Sequence, residues 1–166
     1  MERIFILSGT NMGDKVANLS EAAKSLEKEI TGDGFRFEDP VLSSIMESEP
    51  WGFESYETFL NQAISFCSDI APHKLLEICQ RVEKKIGKEV LKPQYDNKGN
   101  RIYHSRPIDL DILFYGDRII DTDDLIIPHP QIQNRPFALN PLSEIAPDFT
   151  HPVLKATIKE LRQSIL

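Results

Sequence analysis

The stretch Arg106-Pro-Ile-Asp-Leu-Asp-Ile-Leu-Phe-Tyr115 is an apolar run that contains two carboxylates separated by a single residue. As a β-strand it projects Asp109 and Asp111 from one face, roughly 7 Å apart, because successive side chains alternate. Leu113 and Tyr115 continue this acidic face as apolar residues. The opposite face then carries Ile108, Leu110, Ile112 and Phe114.

Two neighbouring carboxylates repel each other, so this face needs either a compensating cation or full hydration. Magnesium binds one or two carboxylates plus phosphate oxygens, and Arg106 places a phosphate-type cation three residues before Asp109. The alternative is an ordinary half-exposed strand with polar residues toward solvent. The spacing alone leaves both interpretations open, although the apolar residues that continue the face count against full hydration.

Composition limits the class of protein. The 166 residues, 40% hydrophobic and 27% charged, predict one soluble globular domain over residues 1–166. A net charge of −7 argues against a nucleic-acid polymer as the main partner. The start of the chain lacks a secretory pattern and no stretch approaches membrane-spanning length, so we expect a cytoplasmic protein without a membrane partner, and a monomer. Cys67 and Cys79 lack a metal-binding spacing, which favours buried thiols.

The N-terminal part predicts a strand, a turn and a helix. Ile4–Leu7 is a short apolar strand, and the two glycines and Asn11 of 8–14 favour a tight turn. The turn lacks the full phosphate-loop pattern, so a plain turn is the default. The following helix ends at Gly32 to Gly34, and its apolar stripe is Val16, Leu19, Ala22, Ala23, Leu26 and Ile30.

Two further strands are predicted at Val41–Met46 and Phe59–Phe66, the latter with Asn61 facing away from Leu60, Ile64 and Phe66. The segment Glu47–Glu57 between them contains the single tryptophan. It is either a ligand-facing loop or a loop whose aromatic side chains cover the core.

The second helix is predicted from Pro72 to Gly87, where Gln80 and Glu83 share a face that would by itself be solvated surface. The basic connection 88–105 suits a phosphorylated nucleotide that carries magnesium, or it is a solvated loop. Prolines hold His129 and Arg135 in a rigid segment, which is useful in a phosphate site, although a lone histidine is more often structural.

The remaining elements are a possible short strand at Arg118–Asp121 and a helix at Ala138–Ile145. A capping box, Thr157 with Glu160, begins a last helix. Its packing stripe is Leu154, Ile158, Leu161 and Ile165.

Taken together, the motifs resemble one family, 6-hydroxymethyl-7,8-dihydropterin pyrophosphokinase. Arg106-x-x-Asp-Leu-Asp-Ile-Leu113 resembles the family signature, and Ser8-Gly-Thr-Asn11 resembles its opening turn. Ile127-Pro-His129 and Asn134-Arg-Pro-Phe137 resemble its later block. The resemblance covers nearly the whole chain, and these motifs in this order and spacing are highly specific.

The resemblance implies a ferredoxin-like α+β sandwich, with helices on one side of a mostly antiparallel sheet and long loops that cover the substrates. It implies transfer of pyrophosphate from ATP to the pterin hydroxyl, with AMP as the leaving group. Two magnesium ions would bridge Asp109, Asp111 and the ATP phosphates, and Arg106 would join these two as a catalytic residue.

The resemblance also assigns substrate contacts. Phe59 and Phe137 look like the aromatic faces that sandwich the pterin, and Asn61 looks like the amide that reads the edge of its ring. The other implied pterin-side positions are Gly9, Asn11, Ser48, Pro50 and Trp51.

The implied nucleotide contacts are Gln80, Glu83, Lys88, Tyr103, Arg106, His129 and Arg135. Four features depart from the family pattern. Lys88 stands where arginine is usual, Tyr103 and His104 replace an aromatic-glycine pair, and Asp124 stands where some relatives have a basic residue. The 88–105 connection is also longer than the common form.

Two alternatives remain at this stage. A different magnesium-dependent phosphoryl or nucleotidyl transferase would use the same carboxylates on a substrate without a pterin ring. A noncatalytic ferredoxin-like module would bind ATP and pterin without turnover.

Overall fold

The computed structural model describes residues 1–49, 58–87, 94, 95, 97, 98, 101, 102 and 107–165. The strands in this part of the chain are β1 (Glu2–Thr10), β2 (Glu38–Leu42), β3 (Met46–Ser48), β4 (Phe59–Ser68), β5 (Gln94–Tyr95), β6 (Arg101–Ile102), β7 (Asp109–Tyr115), β8 (Ile120–Asp121) and β9 (Ile126–Ile127). The helices are α1 (Lys15–Gly32), α2 (Pro72–Gly87), α3 (Pro136–Ile145), α4 (Ile158–Ser164) and a short 3₁₀ helix, Ile132–Asn134.

The main sheet has the strand order β2-β4-β1-β7, with β3 also paired to β4 beyond the end of β2. Each strand pair in the described residues is antiparallel. The predicted α+β class with an antiparallel sheet is therefore confirmed. The two hairpins β5-β6 and β8-β9 are separate from this sheet.

Helices cover both faces of the sheet. Alternate residues of β1 divide between two cores, with Ile4 and Ile6 in one and Phe5 and Leu7 in the other. The first core is completed by α1 and α2, and the second by α3 and α4. The expectation of helices on one side was therefore incomplete, because strands buried on both faces need an apolar layer on each. The predicted substrate-covering loops lie largely outside the described residues.

Both long helices begin and end close to the predicted residues. Asp14 caps α1 by accepting a hydrogen bond from the Ala17 N–H at 3.1 Å. Val16, predicted to pack, is 56% exposed because it lies in the first turn. In the described residues, no helix has the length and apolar character needed to cross a bilayer.

The capping box of α4 is confirmed, but its predicted packing stripe is only half right. Ile158 and Leu161 are buried, whereas Leu154 and Ile165 are 45% and 37% exposed. Leu154 precedes the helix and Ile165 follows it, so neither side chain lies on the helical face. Both cysteines are free, and Cys67 is only half-buried, in contrast to the expected burial.

A β-bulge changes the alternation in β7. Ile6 pairs with Ile112 and Phe5 with Phe114, so Leu113 is an extra residue on β7. Phe114 therefore joins the α3–α4 core, and Tyr115 joins the α1–α2 core, where its hydroxyl donates to the Ile70 carbonyl. The predicted faces of Phe114 and Tyr115 were both wrong, because a regular alternation does not include the extra residue.

Two other boundaries differ from prediction. Strand β1 continues to Thr10, so Gly9 lies in the strand and the turn covers only 11–14. The predicted strand Val41–Met46 is divided into β2 and β3, with 43–45 between them.

Candidate active site

The predicted pterin-side and metal-side residues lie on one face of the sheet. Gly9 pairs with Asn61 of β4 on one side and with Asp109 of β7 on the other. Met46 of β3 pairs with Asn61, which extends the row to a fourth strand. Directly opposed residues in a sheet project to the same face, so this row is continuous across the sheet.

Gly9 leaves the space that Asn61 and Phe59 occupy. A Cβ atom on Gly9 would stand 3.1 Å from Asn61 Oδ1 and 3.7 Å from Phe59 Cδ1. The backbone of β1 thus approaches both side chains closely, as only glycine allows. Gly9, which the sequence placed in a turn, lies instead in β1, where its missing side chain leaves space between Asn61 and Asp109.

Asn61 has a defined orientation. Asn61 is only 3% exposed, and its Nδ2 donates a hydrogen bond to Ser48 Oγ at 2.7 Å. Ser48 pairs with Phe59, so β3 positions the partner of Asn61 beside the aromatic ring. Asn11, which follows β1, is fully buried.

The carboxylates lie where the apolar part of the face ends. Asp109 and Asp111 are half-exposed, and Asp111 pairs with Leu7, which is 4% exposed. Farther along β7, Leu113 is 1% exposed beneath α3 and α4. The acidic pair is therefore not part of a broad solvated face.

Arg135 lies between the carboxylate of Asp111 and the side chains of His129 and Phe137. Its Nη1 lies 3.9 Å from Asp111 Oδ2 and 3.4 Å from His129 Nε2, and its Cζ lies 5.5 Å from the centre of the Phe137 ring. Arg135 is the N-cap residue of α3, so the positive end of the helix dipole also faces this region. The arrangement favours a bound anion.

His129 is neutral at physiological pH. Burial, together with the Arg135 cation, lowers the pKa of His129 to about 4. Because Nδ1 accepts a hydrogen bond from the Gln131 N–H at 3.2 Å, the proton is assigned to Nε2, and the 3.4 Å contact of Nε2 with Arg135 Nη1 is then not a hydrogen bond. The His129 Nε2–H and the Arg135 guanidinium are then two adjacent donors, and both can donate to one phosphate oxygen.

The bulge in β7 positions this histidine. The backbone N–H of His129 donates to the carbonyl of Leu113 at 3.0 Å. Residue 129 is thus attached to the strand that carries the carboxylates.

A cleft of about 260 Å³ opens at the outer edge of β7, between α2 and the β8–β9 hairpin. Its lining residues are Leu76, Leu110, Asp111, Ile112, Asp123, Asp124, Leu125, Ile126, His129 and Pro130. Six of these residues are apolar and four are polar, three of them aspartates, so the walls suit a flat heterocycle better than an anionic group. Asp111 and His129 connect this cleft to the face described above.

Gln80 and Glu83 lie on α2, which packs on β7, but neither lines the cleft. Gln80 is exposed and Glu83 is half-buried. Burial raises the pKa of the Cys79 thiol, and the negative charges of Glu83 and Asp111 raise it further. Cys79 therefore stays protonated, within electrostatic range of both Glu83 and Asp111.

Five predicted site residues lie outside the described part of the chain: Pro50, Trp51, Lys88, Tyr103 and Arg106. Sequence reasoning did not single out Lys15, whose Nζ donates to the Thr58 carbonyl at 3.0 Å, next to Phe59. The sequence contains no signal for this contact, because it joins residues 43 positions apart. Sequence reasoning also did not single out Asp123, which lines the cleft beside β7.

The donor set fits magnesium that completes its shell with substrate oxygens. In the described residues, no group of three or more histidine, cysteine or acidic side chains is gathered around one point. Asp109 and Asp111 nevertheless place hard carboxylate oxygens on one face, beside the Arg135 guanidinium. Magnesium commonly takes one or two carboxylates and obtains its other ligands from phosphates and water.

A carboxylate pair beside an arginine and a histidine is typical of enzymes that transfer phosphoryl groups. The family model described as 7,8-dihydro-6-hydroxymethylpterin-pyrophosphokinase (HPPK) matches residues 5–147. The chain belongs to this family, which confirms the family predicted from its motifs.

Individual proteins similar to this chain carry names that match the same family. The chain is 33% identical over 162 residues to the 2-amino-4-hydroxy-6-hydroxymethyldihydropteridine pyrophosphokinase of Aquifex aeolicus, covering 98% of this chain and 91% of the relative. The protein of the same name from Porphyromonas gingivalis is 37% identical over 153 residues, with coverage of 92% and 95%.

The chain also matches part of longer proteins. It is 34% identical to the folic acid synthesis protein FOL1 of Dictyostelium discoideum over 98% of this chain but only 22% of that protein. A solved structure of wild-type Plasmodium falciparum HPPK-DHPS with pteroate has a TM-score of 0.69 at 15% identity, covering 99% of this chain and 44% of that one. At this identity the structural likeness supports the fold alone.

Proposed function

We propose that this site transfers the pyrophosphoryl group of ATP to the hydroxyl of 6-hydroxymethyl-7,8-dihydropterin and releases AMP, a step in folate synthesis. One observation carries the proposal: Gly9 pairs with Asn61 on one side and Asp109 on the other, in a chain of this family. A substrate that lies over Gly9 reaches an amide and an aromatic ring at one end and the carboxylates at the other.

On the pterin side, Asn61 Oδ1 accepts a hydrogen bond from the amino-substituted edge of the ring, while Ser48 holds Nδ2. Phe59 and Phe137 stack on the two faces of the ring. Gly9 provides the space for this approach, and Asn11, Pro50 and Trp51 complete the pterin pocket in this proposal.

On the nucleotide side, Arg135 and the neutral His129 donate to phosphate oxygens of ATP. The cleft beside β7 takes the nucleoside part, with Glu83 and Gln80 at its α2 side. Lys88, Tyr103 and Arg106 are proposed as further phosphate or nucleotide contacts, and Arg106 as a catalytic residue.

Asp109 and Asp111 would hold magnesium, and we propose two ions. When bound, magnesium neutralises phosphate charge and lowers the barrier to displacement at phosphorus. The chain itself contributes orientation: the pterin contacts direct the hydroxyl toward the β-phosphorus, while Arg135 and His129 hold the triphosphate in line.

We also propose a single-domain, monomeric and cytoplasmic protein. The outer strand β2 supports the monomer, because Asp39 has a positive φ of 49° and Pro40 lacks an N–H, so this edge cannot form a regular ladder with a second sheet. The two free cysteines are consistent with a reducing compartment. Light scattering after size-exclusion chromatography tests the oligomeric state.

Product analysis tests the activity. Incubation with ATP, magnesium and 6-hydroxymethyl-7,8-dihydropterin should yield AMP and the pterin diphosphate in equal amounts. Formation of ADP would indicate transfer of one phosphoryl group and would contradict the proposal. Binding of both substrates without any product would support the noncatalytic alternative.

A further inference from the structure

The connection between β2 and β3 contains an extra residue. Leu42 pairs with Ile64, and Met46 pairs with Asn61, so 43–45 on this side are opposite only 62–63 of β4. Such a bulge shifts the register of the strand that follows it. It therefore determines which side chains of β3 face the pterin side of the site.

Ser43 holds the inner side of this bulge. Its backbone N–H donates to the Ala63 carbonyl at 3.0 Å, and its Oγ accepts from the Ala63 N–H at 2.9 Å. Its carbonyl accepts from Gln62 Nε2 at 2.9 Å. Ser43 is 4% exposed, so these contacts are protected from water.

Ser44 turns the other way and is held by α3. Its backbone N–H donates to Glu144 Oε1 at 2.8 Å, and its Oγ donates to Glu144 Oε2 at 2.6 Å. Both hydrogen bonds favour the ionised carboxylate and lower the pKa of Glu144. Glu144 is exposed, so it is not held in place by burial in the core. Its two carboxylate oxygens nevertheless both contact Ser44, a residue 100 positions away in the sequence.

Glu144 and the site lie at opposite ends of one rigid element. Helix α3 has ten residues, a length of about 15 Å. Arg135 caps its first turn, Phe137 lies within that turn, and Glu144 is in its last turn. The same helix thus connects Arg135 and Phe137, both residues of the proposed site, with the bulge that precedes β3.

We propose that Glu144 is a positioning residue for pterin binding: by holding the 43–45 bulge through Ser44, it places Ser48 against Asn61. A slip of β3 by one residue would direct Ser48 to the opposite face and release the Asn61 amide. Glu144 acts through Ser44 and does not contact substrate. This inference rests on the proposed function, because it concerns recognition of the pterin in that reaction.

The experiment compares steady-state kinetics of Glu144→Ala, Glu144→Gln and Ser44→Ala with the wild type. We expect Glu144→Ala to raise the KM for the pterin about fivefold, while kcat and the KM for ATP change by less than about twofold. Glu144→Gln should restore most of the pterin affinity, because its amide can accept from the Ser44 N–H and donate to Ser44 Oγ. Ser44→Ala keeps one of the two hydrogen bonds and should be intermediate.

Asp148→Ala is the matched control, since it removes an exposed carboxylate four residues beyond Glu144. The inference is overturned if Glu144→Ala leaves the pterin KM unchanged, if both KM values rise together, or if Asp148→Ala has the same effect. If Glu144→Ala does not fold, an unchanged pterin KM in Ser44→Ala overturns it equally. Absence of AMP formation by the wild type would instead overturn the proposed function, and this inference with it.

Discussion

Asn61 Oδ1 lies only 3.1 Å from the position that a Cβ atom on Gly9 would occupy. Gly9 lies in β1 and is not among the residues with a positive φ, so its backbone can be adopted by any residue. The glycine is therefore required by the space that the Asn61 amide occupies, and this allows a direct test of the pterin side.

Gly9→Ala should raise the KM for the pterin about tenfold, equivalent to about 1.4 kcal/mol of binding free energy. The added methyl group forces Asn61 Oδ1 to move, while the 2.7 Å hydrogen bond to Ser48 restrains the same amide. Steady-state kinetics at saturating ATP measure the change. Gly32→Ala is the control, because a Cβ there meets nothing within 4 Å. Equal KM values for Gly9→Ala and wild type would show that the pterin does not depend on Asn61.

Asp111→Asn should lower the rate of AMP formation by about 100-fold or more, the scale on which preorganised charged groups act in catalysis. The substitution keeps the shape of the side chain and removes the charge that would hold magnesium. Chromatographic assay of AMP gives the rate, and thermal unfolding checks that the fold is retained. The exposed Asp117→Asn serves as the charge-matched control. A rate for Asp111→Asn equal to that of the control would exclude Asp111 from the reaction.

Thr157→Ala should lower the free energy of unfolding by about 1 kcal/mol through loss of the helix cap. The Thr157 side chain accepts from the Glu160 N–H at 3.1 Å, and α4 places Ile158 and Leu161 in the core beneath α3. Urea titration measures the loss. Because no residue of α4 belongs to the proposed site, both KM values should stay unchanged, and a change in either would contradict this separation.

The pH dependence of stability below pH 6.5 should report on His151 as well as on His129, whose pKa is lowered to about 4. The Nδ1 of His151 accepts from the N–H groups of Val153 and Leu154, at 3.1 and 3.0 Å, and burial lowers the pKa of His151 below 6.5. The unfolded chain therefore binds this proton more readily than the folded chain. The stabilisation is complete above pH 6.5 and declines as the pH falls from there toward the folded pKa.

Urea titrations between about pH 7 and pH 5 cover this window, where histidine is the main titrating side chain. His151→Asn keeps an acceptor for the same N–H groups and should show a flatter profile. The carboxylates with lowered pKa values are Asp33, Asp69, Asp124 and Glu144, and they lose their stabilisation only below their ordinary values, 3.8 for the aspartates and 4.5 for Glu144. A profile in His151→Asn as steep as that of the wild type would assign the dependence to other groups.

The elements with a clear local signal were predictable from the sequence. Apolar residues at helical spacing and flanking glycines predicted α1 and α2, and the Thr157 to Glu160 motif predicted the start of α4. The carboxylate pair was predicted because Asp109 and Asp111 contrast with an apolar strand. Each of these signals lies within a single element.

The features that sequence did not reveal depend on register between strands. The extra residue at Leu113 and the division at 43–45 arise from how β7 pairs with β1 and how β2 and β3 pair with β4. No local composition marks either site, because Ser43 and Leu113 occur within stretches that also suit a regular strand. The Ser44 to Glu144 contact joins residues 100 positions apart and has no local signature at all.

The bulge at Leu113 divides β7 into two parts whose side chains alternate in different phase. Before it lie Asp109 and Asp111, the proposed magnesium ligands; after it, Phe114 and Tyr115 each pack into a different hydrophobic core. Because the change of phase lies between these halves, the acidic half can acquire new ligands without altering how the aromatic half is packed.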